Sequence, residues 1–234
     1  MKISVIIPCF NEEKTITNLV GRVQKSLDGM NKQIIIVDDC STDNTYKKLE
    51  ELSAFDKSII IESHSLNQGK GAAIRTGLKT VSGDIVIFQD ADLEYSPTEF
   101  PKLLKPILDG NADVVYGSRF KSGDAGRVLY FWHRLGNFIL TWFSNMLTNL
   151  NLTDMETCYK VFRKGVLSQI EIEEHLFGVE AEIRSKIAKI RPRLSIYDVG
   201  ISYYSRTDEE GKKITYKDCF RTIYTIIKFN LFRK

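Results

Sequence analysis

The chain has 234 residues, of which 43% are hydrophobic and 27% are charged, as expected for a globular protein with one substantial core. Its formal net charge of +3 is too small to indicate nucleic acid as a partner, and its four cysteines form no CxxC pair. No run approaches the ~18 to 20 apolar residues of a membrane-spanning helix. These features predict a cytoplasmic protein with reduced thiols.

Short apolar runs alternate with amphipathic segments through the first half of the chain. The runs are 3-ISVII-7, 34-IIIV-37, 59-III-61, 85-IVIF-88 and 113-DVVYG-117, and helical patterns cover 13–29, 43–53, 70–81 and 98–109. Continuous apolar runs of this length are typical of parallel strands that are buried on both faces. The pattern predicts an α/β fold, an open, doubly wound and mostly parallel sheet with helices on both faces.

Three acidic residues, Asp90, Asp92 and Glu94, directly follow the fourth predicted strand. Residues 96-SPTE-99 match a capping box with proline at the first helical position, so the acids precede a helix. The acids therefore lie in a loop at the carboxyl end of a strand, where open α/β sheets bind ligands. Crowded carboxylates are stabilised by a hard divalent cation such as Mg²⁺ or Mn²⁺ that also binds a diphosphate. For an isolated DxD pattern, a solvated turn of capping acids is the alternative.

Further polar or aromatic residues follow the first two predicted strands. They are Pro8, Phe10 and Glu12 after the first strand and Asp38 and Asp39 after the second. Parallel strands bring these residues to the same edge of the sheet as the acidic loop. Carboxylates placed there can accept hydrogen bonds from a nucleobase or a ribose. Ser41 and Asp43, by contrast, are expected to cap the next helix.

These segments together resemble a known family. They are 7-IPCFNEE-13, 36-IVDDCSTDNT-45, 67-NQGKGAAIRTGL-78, 83-GDIVIFQDADLEYSP-97 and 115-VYGSRF-120. In this order they are similar to the family 2 glycosyltransferases, most closely to the branch that glycosylates dolichyl and polyprenyl phosphates. The resemblance spans residues 1–163 and returns at 177–213. It implies a GT-A fold, a nucleotide-diphospho-sugar donor, a divalent metal and inversion at the anomeric carbon.

The resemblance also implies roles for the residues already named. Pro8, Phe10, Glu12, Asp38 and Asp39 would hold the nucleoside of the donor. Asp90, Asp92 and Glu94 would bind the metal, with Asp92 bridging it to the diphosphate. Relatives of the polyprenyl-phosphate branch often carry glutamine at the position of Glu94, so this chain adds a negative charge there. Carboxylate is the better ligand for a hard cation, which favours metal binding on paper.

Paired glycines surround Lys70 at the start of a predicted helix. Lys70 can reach a phosphate there with the helix N-terminus behind it, although the GxxxxGK[ST] pattern of a Walker loop is absent. A tight helix start without a ligand is the competing interpretation. Arg75, one turn further on, is either exposed to the ligand or paired with a buried carboxylate such as Asp38.

The second half of the chain carries candidates for acceptor binding. Arg119 follows the fifth strand, and by similarity it binds the acceptor phosphate or the leaving diphosphate. In the predicted helix 127–150, Arg134 opens a polar stripe and the other faces are rich in aromatic residues. We expect Arg134 to act beside Arg119, and we expect so apolar a helix to lie either in the core or on lipid.

An acid in 153-TDMETCYKVFRKGV-166 matches the family's DxxxxYK-type motif. By this similarity Asp154 is a general base if the acceptor is a hydroxyl, because a hydroxyl loses its proton as it attacks. A phosphate acceptor is already an anion, and Asp154 is then a structural or orienting acid. Glu156 is the fallback for the base.

Residues 206-RTDEEGKK-213 resemble the family's mobile loop over the donor. Arg206 and Lys213 would neutralise charge on the leaving diphosphate. A polar surface loop is the alternative. We expect one GT-A domain over 1–213, with a donor half at about 1–120 and an acceptor half at about 121–213.

A basic, aromatic amphipathic helix is predicted at 214–234. Its apolar face either packs on the sheet or lies on the cytoplasmic face of a membrane, from which a polyprenyl phosphate is taken. The sequence leaves open the nucleotide base, the sugar and the oligomeric state. Two other functions remain: a soluble enzyme that glycosylates a hydroxyl, and a nucleotide-sugar-binding protein without catalysis.

Overall fold

A computed structural model describes residues 1–121, 127–128, 130–205 and 216–232, with only the backbone described at 216–218. Its strands are β1 (Lys2–Cys9), β2 (Asn31–Asp38), β3 (Ile59–Ser63), β4 (Ile85–Phe88), β5 (Val114–Ser118), β6 (Lys160–Arg163) and β7 (Ile196–Gly200). Its helices are α1 (Ile16–Ser26), α2 (Thr45–Phe55), α3 (Lys70–Thr80), α4 (Phe100–Leu108), α5 (Phe131–Thr148), α6 (Lys164–Leu167), α7 (Val179–Ile187) and α8 (Tyr216–Ile227).

The strands form one mixed sheet in the order β3-β2-β1-β4-β6-β5-β7. All pairs are parallel except those of β6, which runs antiparallel to both β4 and β5. The predicted α/β class and mostly parallel sheet are therefore confirmed. Because β2, β1 and β4 are neighbours, the residues that follow them meet at one edge of the sheet.

The apolar runs of the central strands lie in the core, whereas in β3, at one end of the sheet, Ile59 is buried and Ile60 and Ile61 are only partly buried. The side chains of Val5, Ile6 and Ile7 in β1 and of Ile34, Ile35, Ile36 and Val37 in β2 have no exposed surface. Helices cover both faces of these strands, so alternation of apolar and polar residues is unnecessary. Because these strands are buried along their length, the polar residues that follow them are held at defined positions at the sheet edge.

The capping box predicted for 96–99 does not form. Pro97–Glu99 is a 3₁₀ turn before α4, and Ser96 makes no side-chain cap. The Ser96 hydroxyl instead shares a hydrogen bond with the Thr98 hydroxyl, and Glu99 Oε1 accepts one from the Ser202 amide at 3.3 Å. Glu99 is thus used to hold the chain that follows β7, while the predicted order of loop and helix is retained.

The aromatic helix α5 begins at Phe131 and turns its polar stripe toward the protein. Thr141 and Ser144 are buried, and Asn145 bonds both backbone groups of Leu152. A small second core joins α5 to α7 and α8 through Leu140, Ala181 and Ile226. The opposite face of α5 is left exposed. None of the helices in the described residues is long and apolar enough to span a bilayer.

Candidate active site

A cavity of about 670 Å³ opens at the carboxyl edge of the sheet. It collects most of the residues singled out from the sequence, and those are Pro8, Phe10, Glu12, Asp39, Lys70, Asp90, Asp92, Glu94 and Arg119. Asp38, Arg134 and Asp154 do not line it. Arg206 and Lys213 lie outside the described residues. The cavity continues from the strand ends to the walls formed by α5 and α8.

Asp39 organises the end of the cavity nearest β2. Its Oδ1 contacts His64 Nδ1 at 2.7 Å and accepts a hydrogen bond from the Gln68 amide, and its Oδ2 accepts one from the Gly69 amide at 2.7 Å. These bonds tie the turn before α3 to the end of β2. Asp39 lines the cavity, but much of its hydrogen-bonding capacity is already used by the protein.

Asp38 lies behind this layer. It is buried, and its Oδ2 accepts a hydrogen bond from the Ser41 amide at 3.1 Å. Asp43 caps the turn before α2, since its Oδ1 accepts a hydrogen bond from the Thr45 amide at 2.9 Å. The expected capping role of Asp43 is seen, whereas Ser41 binds the Asn11 amide at 2.9 Å.

The acidic loop places three carboxylates on the cavity wall. Asp92 Oδ1 accepts a hydrogen bond from the Glu94 amide at 3.1 Å, and Glu94 Oε2 accepts one from the Tyr203 hydroxyl at 2.7 Å. Between them Leu93 has a φ of 64°, a left-handed conformation that is costly for a branched side chain. Backbone strain of this kind is often retained at functional sites.

The oxygen ligands of this loop fit a hard divalent cation. Across the described ranges, no three acidic, histidine or cysteine side chains converge as a complete metal site. Mg²⁺ commonly takes only one or two protein carboxylates and completes its shell with water and substrate phosphates. Asp90 and Asp92 offer such a partial set, and Glu94 Oε2 is held by the Tyr203 hydroxyl. The three carboxylates as metal ligands stay a prediction.

Lys70 connects the acidic loop to a buried ionic network that periodicity did not indicate. Its Nζ lies 2.8 Å from Asp90 Oδ1 and 3.0 Å from Glu180 Oε1. Glu180 also pairs with the fully buried Lys160. Desolvation favours the neutral amine, but Asp90 and the neighbouring acids outweigh it and hold the pKa of Lys70 well above its usual value. Lys70 therefore stays charged beside the site.

Two of the amides at the start of α3, which the sequence suggested could bind a phosphate, are already used within the protein. The Gly71 and Ala72 amides both donate to the His175 carbonyl, at 2.7 and 3.2 Å. Gly69 has a φ of 93°, and a Cβ there would collide with His175 and Leu176. The paired glycines thus allow segment 174–176 to close over the helix N-terminus. Arg75 takes part in the same contact, because Nη1 donates to the Ile172 carbonyl at 3.2 Å.

Arg119 and Asp154 form a two-pronged ion pair on the cavity wall. Arg119 Nε and Nη2 contact the two Asp154 oxygens at 2.6 and 2.8 Å, and Asn137 Nδ2 donates to Oδ1 at 2.9 Å. Burial opposes ionisation of Asp154, but Arg119 and these hydrogen bonds hold its pKa below its ordinary value. Asp154 is thus an anchored anion, and its contacts suit the orienting role better than that of a proton acceptor.

Arg134 lies near Arg119, as expected, but it does not line the cavity. Its guanidinium is 5.8 Å from the centre of the Phe120 ring, and the Arg119 guanidinium is 5.6 Å from that ring. Phe120 itself lines the cavity. Arg134 therefore approaches the site through an aromatic contact rather than by facing the cavity, and its role in acceptor binding stays a prediction.

Glu156 is the acid in this segment that lines the cavity. Its buried Oε1 has no hydrogen-bond partner within the described part of the chain. Burial, reinforced by the Glu180 charge, raises the pKa of Glu156 to about 7. Sequence reasoning had ranked it behind Asp154, because the motif identifies an acid but not which acid faces the cavity.

The mixed sheet and the cavity at its carboxyl edge are those of a GT-A fold. The chain belongs to glycosyl transferase family 2, whose family model matches residues 4–171. It is 30% identical to the dolichol-phosphate mannosyltransferase of Pyrococcus furiosus over 98% of its own length and 64% of that protein. It is 31% identical to a Methanococcus voltae UDP-N-acetylglucosamine–dolichyl-phosphate N-acetylglucosaminyltransferase, over 85% of this chain and 84% of that one.

Solved structures show the same fold. A glucosyl-3-phosphoglycerate synthase from Mycobacterium tuberculosis, in complex with Mn²⁺ and UDP-glucose, superposes with a TM-score of 0.73 at 21% identity. The match covers 98% of this chain and 79% of that one. The chain also spans only 64% of the Pyrococcus relative, so it corresponds to about two thirds of that protein.

Proposed function

We propose that this chain transfers a sugar, with inversion, from a nucleotide-diphospho-sugar to the phosphate of a polyprenyl or dolichyl lipid. The observation that carries the proposal is the lining of the cavity. Its strand-end wall bears the carboxylates, and its other walls bear Arg119 and apolar side chains such as Trp132, Leu140 and Phe177. A charged headgroup on a long apolar chain fits such a lining.

The transfer is a single displacement. An acceptor phosphate oxygen forms a bond to the anomeric carbon while the bond from that carbon to the β-phosphate oxygen breaks, and the electron pair leaves with the nucleoside diphosphate. Asp90 and Asp92 would hold Mg²⁺ or Mn²⁺, which supplies charge stabilisation to the leaving diphosphate when bound. Arg119 would orient the acceptor. The proposed role of Arg206 and Lys213 in neutralising the leaving diphosphate falls outside the described residues and stays a prediction.

The contacts of Asp154 support a phosphate acceptor over a hydroxyl. A hydroxyl needs a base with a free lone pair and a pKa near the working pH, whereas Asp154 is paired, hydrogen-bonded and lowered in pKa. The two archaeal relatives are named for transfer to dolichol phosphate or dolichyl phosphate. A hydroxyl acceptor with Glu156 as base is the second candidate, because Glu156 faces the cavity.

A donor and acceptor screen tests this function. UDP- and GDP-sugars are incubated with the intact chain, Mg²⁺ or Mn²⁺, and a short polyprenyl phosphate, and the lipid is analysed by mass spectrometry. We expect one nucleotide-sugar to give a lipid heavier by one hexosyl or N-acetylhexosaminyl residue, with the lipid phosphate converted into a phosphodiester. Transfer to water or a saccharide, with none to the lipid, would favour the hydroxyl acceptor instead.

We also propose that the outer face of α5 lies on an anionic membrane. Phe138, Trp142 and Met146 follow one another at helical spacing and are each more than half exposed, and Phe220 and Tyr224 of α8 are exposed as well. Polar residues occupy the inward side of α5, so the aromatic surface is not used by the core. Exposed tryptophan and phenylalanine favour a lipid interface.

Membrane binding has a matched control within the chain. We expect the double variant Phe138→Ser/Trp142→Ser to lose at least about tenfold in co-sedimentation with anionic vesicles, because aromatic area is no longer buried in lipid. Phe55→Ser removes an aromatic side chain that is 92% exposed on the remote helix α2, and it should bind as the parent does. Binding should weaken with salt. Equal binding by all three proteins would remove the α5 surface from the proposal.

A further inference from the structure

Glu156 is the surplus acid of the site. Around it, Lys70 and Lys160 face Asp90 and Glu180, and Arg119 faces Asp154, so these opposite charges are matched. Glu156 makes no ion pair among the described residues, and its Oε1 is buried without a hydrogen-bond partner. Ionisation of Glu156 therefore places a negative charge in a buried position without a direct partner, since Arg184, the nearby cation outside these pairs, forms no salt bridge with it in the described part of the chain.

Glu156 lies beside α7, α8 and the Arg119–Asp154 pair, on the side of the cavity that the proposed function assigns to the acceptor. Burial and then the Glu156 charge raise the pKa of the Cys219 thiol in α8. Cys219 lines the cavity together with Thr222 of the same helix. The charged or titratable groups that face Glu156 are Glu180 and Arg184 of α7, Lys160 of β6, Arg119, Asp154 and Cys219. Arg184 is the remaining cation, and its Nη2 donates to Asn145.

A carboxyl in this position has two opposite effects on a phosphate. The protonated acid donates an O–H hydrogen bond to a phosphate oxygen, whereas the carboxylate only accepts and repels an anion. Some enzymes keep a buried carboxylic acid neutral so that it can donate a hydrogen bond to an oxyanion. Lysine or arginine would bind phosphate at any pH, so an acid here makes binding depend on pH.

We propose that Glu156 recognises the acceptor phosphate by donating a hydrogen bond in its neutral form, and that its ionisation weakens acceptor binding. This inference rests on the proposed function, because it requires a phosphate acceptor. It predicts that transfer slows as pH rises, whereas a hydroxyl acceptor with Glu156 as base predicts the opposite. A general base works as the carboxylate, and its transfer rate would rise with pH.

The pH profile of transfer to a short polyprenyl phosphate tests the inference. Between about pH 6.5 and 8.5, we expect wild-type kcat/KM for the lipid to fall toward tenfold per pH unit, through a rising acceptor KM. Glu156→Gln cannot ionise, so its profile should be flat, below wild type at the acidic end and above it at the alkaline end. The donor KM should not follow this pattern. Glu50→Gln, which removes an exposed acid from α2, should keep the wild-type profile.

A thermal unfolding series gives a readout that does not depend on turnover. The pKa of Glu156 in the folded chain is raised to about 7, so its contribution to stability is complete below the unfolded pKa of about 4.5 and is lost as pH rises to about 7. We expect Glu156→Gln to unfold at a higher temperature than wild type at about pH 8.5, with the gap narrowing as pH falls below about 7 and closing below about pH 4.

The outcomes separate the two proposals. Absence of any transfer to the lipid by wild type overturns the proposed function, and the inference falls with it. Lipid transfer in which Glu156→Gln keeps the falling wild-type profile overturns the inference alone. A rising wild-type profile that Glu156→Gln abolishes assigns Glu156 as a base and also overturns it.

Discussion

Asp92→Asn is expected to reduce sugar transfer by about a thousandfold or more, because Asp92 would help to hold the cation with which the proposed mechanism stabilises the leaving diphosphate. Asp92 lies in the strained turn at the end of β4, on the cavity wall. An amide keeps the shape of the side chain but is a poorer ligand for a hard cation. Initial rates should show the loss, and excess EDTA should impose the same loss on wild type.

Calorimetric titration with the nucleoside diphosphate, with and without Mn²⁺, distinguishes metal binding from a folding defect. Wild type should bind more tightly with Mn²⁺, and Asp92→Asn should bind equally in both conditions. Asp109→Asn is the control, since Asp109 pairs with Lys105 in an exposed contact on α4 and should behave as wild type. Full activity of wild type in EDTA would contradict the metal-assisted mechanism.

The residues at the strand ends could be predicted from sequence, because their position depends on local patterns. Strands that are buried on both faces show as continuous apolar runs, and the residues that follow β1, β2 and β4 meet at one edge in any parallel sheet. Asp90 and Asp92 were placed correctly on that edge for this reason. The antiparallel strand β6 escaped this reasoning, since it is short and has charged residues at both ends.

The acceptor side depends on contacts between distant segments. Periodicity in α5 identified a polar stripe, but it does not say which face meets the protein, and here the polar face is inside. The pairing of Lys70 and Lys160 with Glu180 joins α3, β6 and α7. Nothing in the local sequence signals such a network, because each residue alone resembles a surface charge.

Arg119→Ala is expected to lower the free energy of unfolding by about 3–5 kcal/mol, because it leaves the buried Asp154 carboxylate unpaired. The chemical denaturation midpoint should fall accordingly. Arg22→Ala, which removes an exposed arginine from α1, should change stability by no more than about 0.5 kcal/mol. An Arg119→Ala midpoint equal to wild type would show that the ion pair does not stabilise the folded chain.

The pH dependence of the free energy of unfolding tests whether Asp154 is a stabilising anion in the folded chain. Its folded-state pKa is lowered, so its stabilising contribution is complete above the unfolded pKa of about 4 and is lost as pH falls through the lowered value. Asp154→Asn should therefore flatten this acid limb.

Arg119→Lys separates stability from acceptor binding. It keeps a positive charge beside Asp154 but cannot form the two-pronged contact, so part of the stability should return. If Arg119 also orients the acceptor, the acceptor KM should stay raised in Arg119→Lys while the donor KM remains near wild type. A variant with restored stability and a wild-type acceptor KM would limit Arg119 to holding Asp154, and the acceptor phosphate would then depend on other groups of the cavity wall, Glu156 first among them.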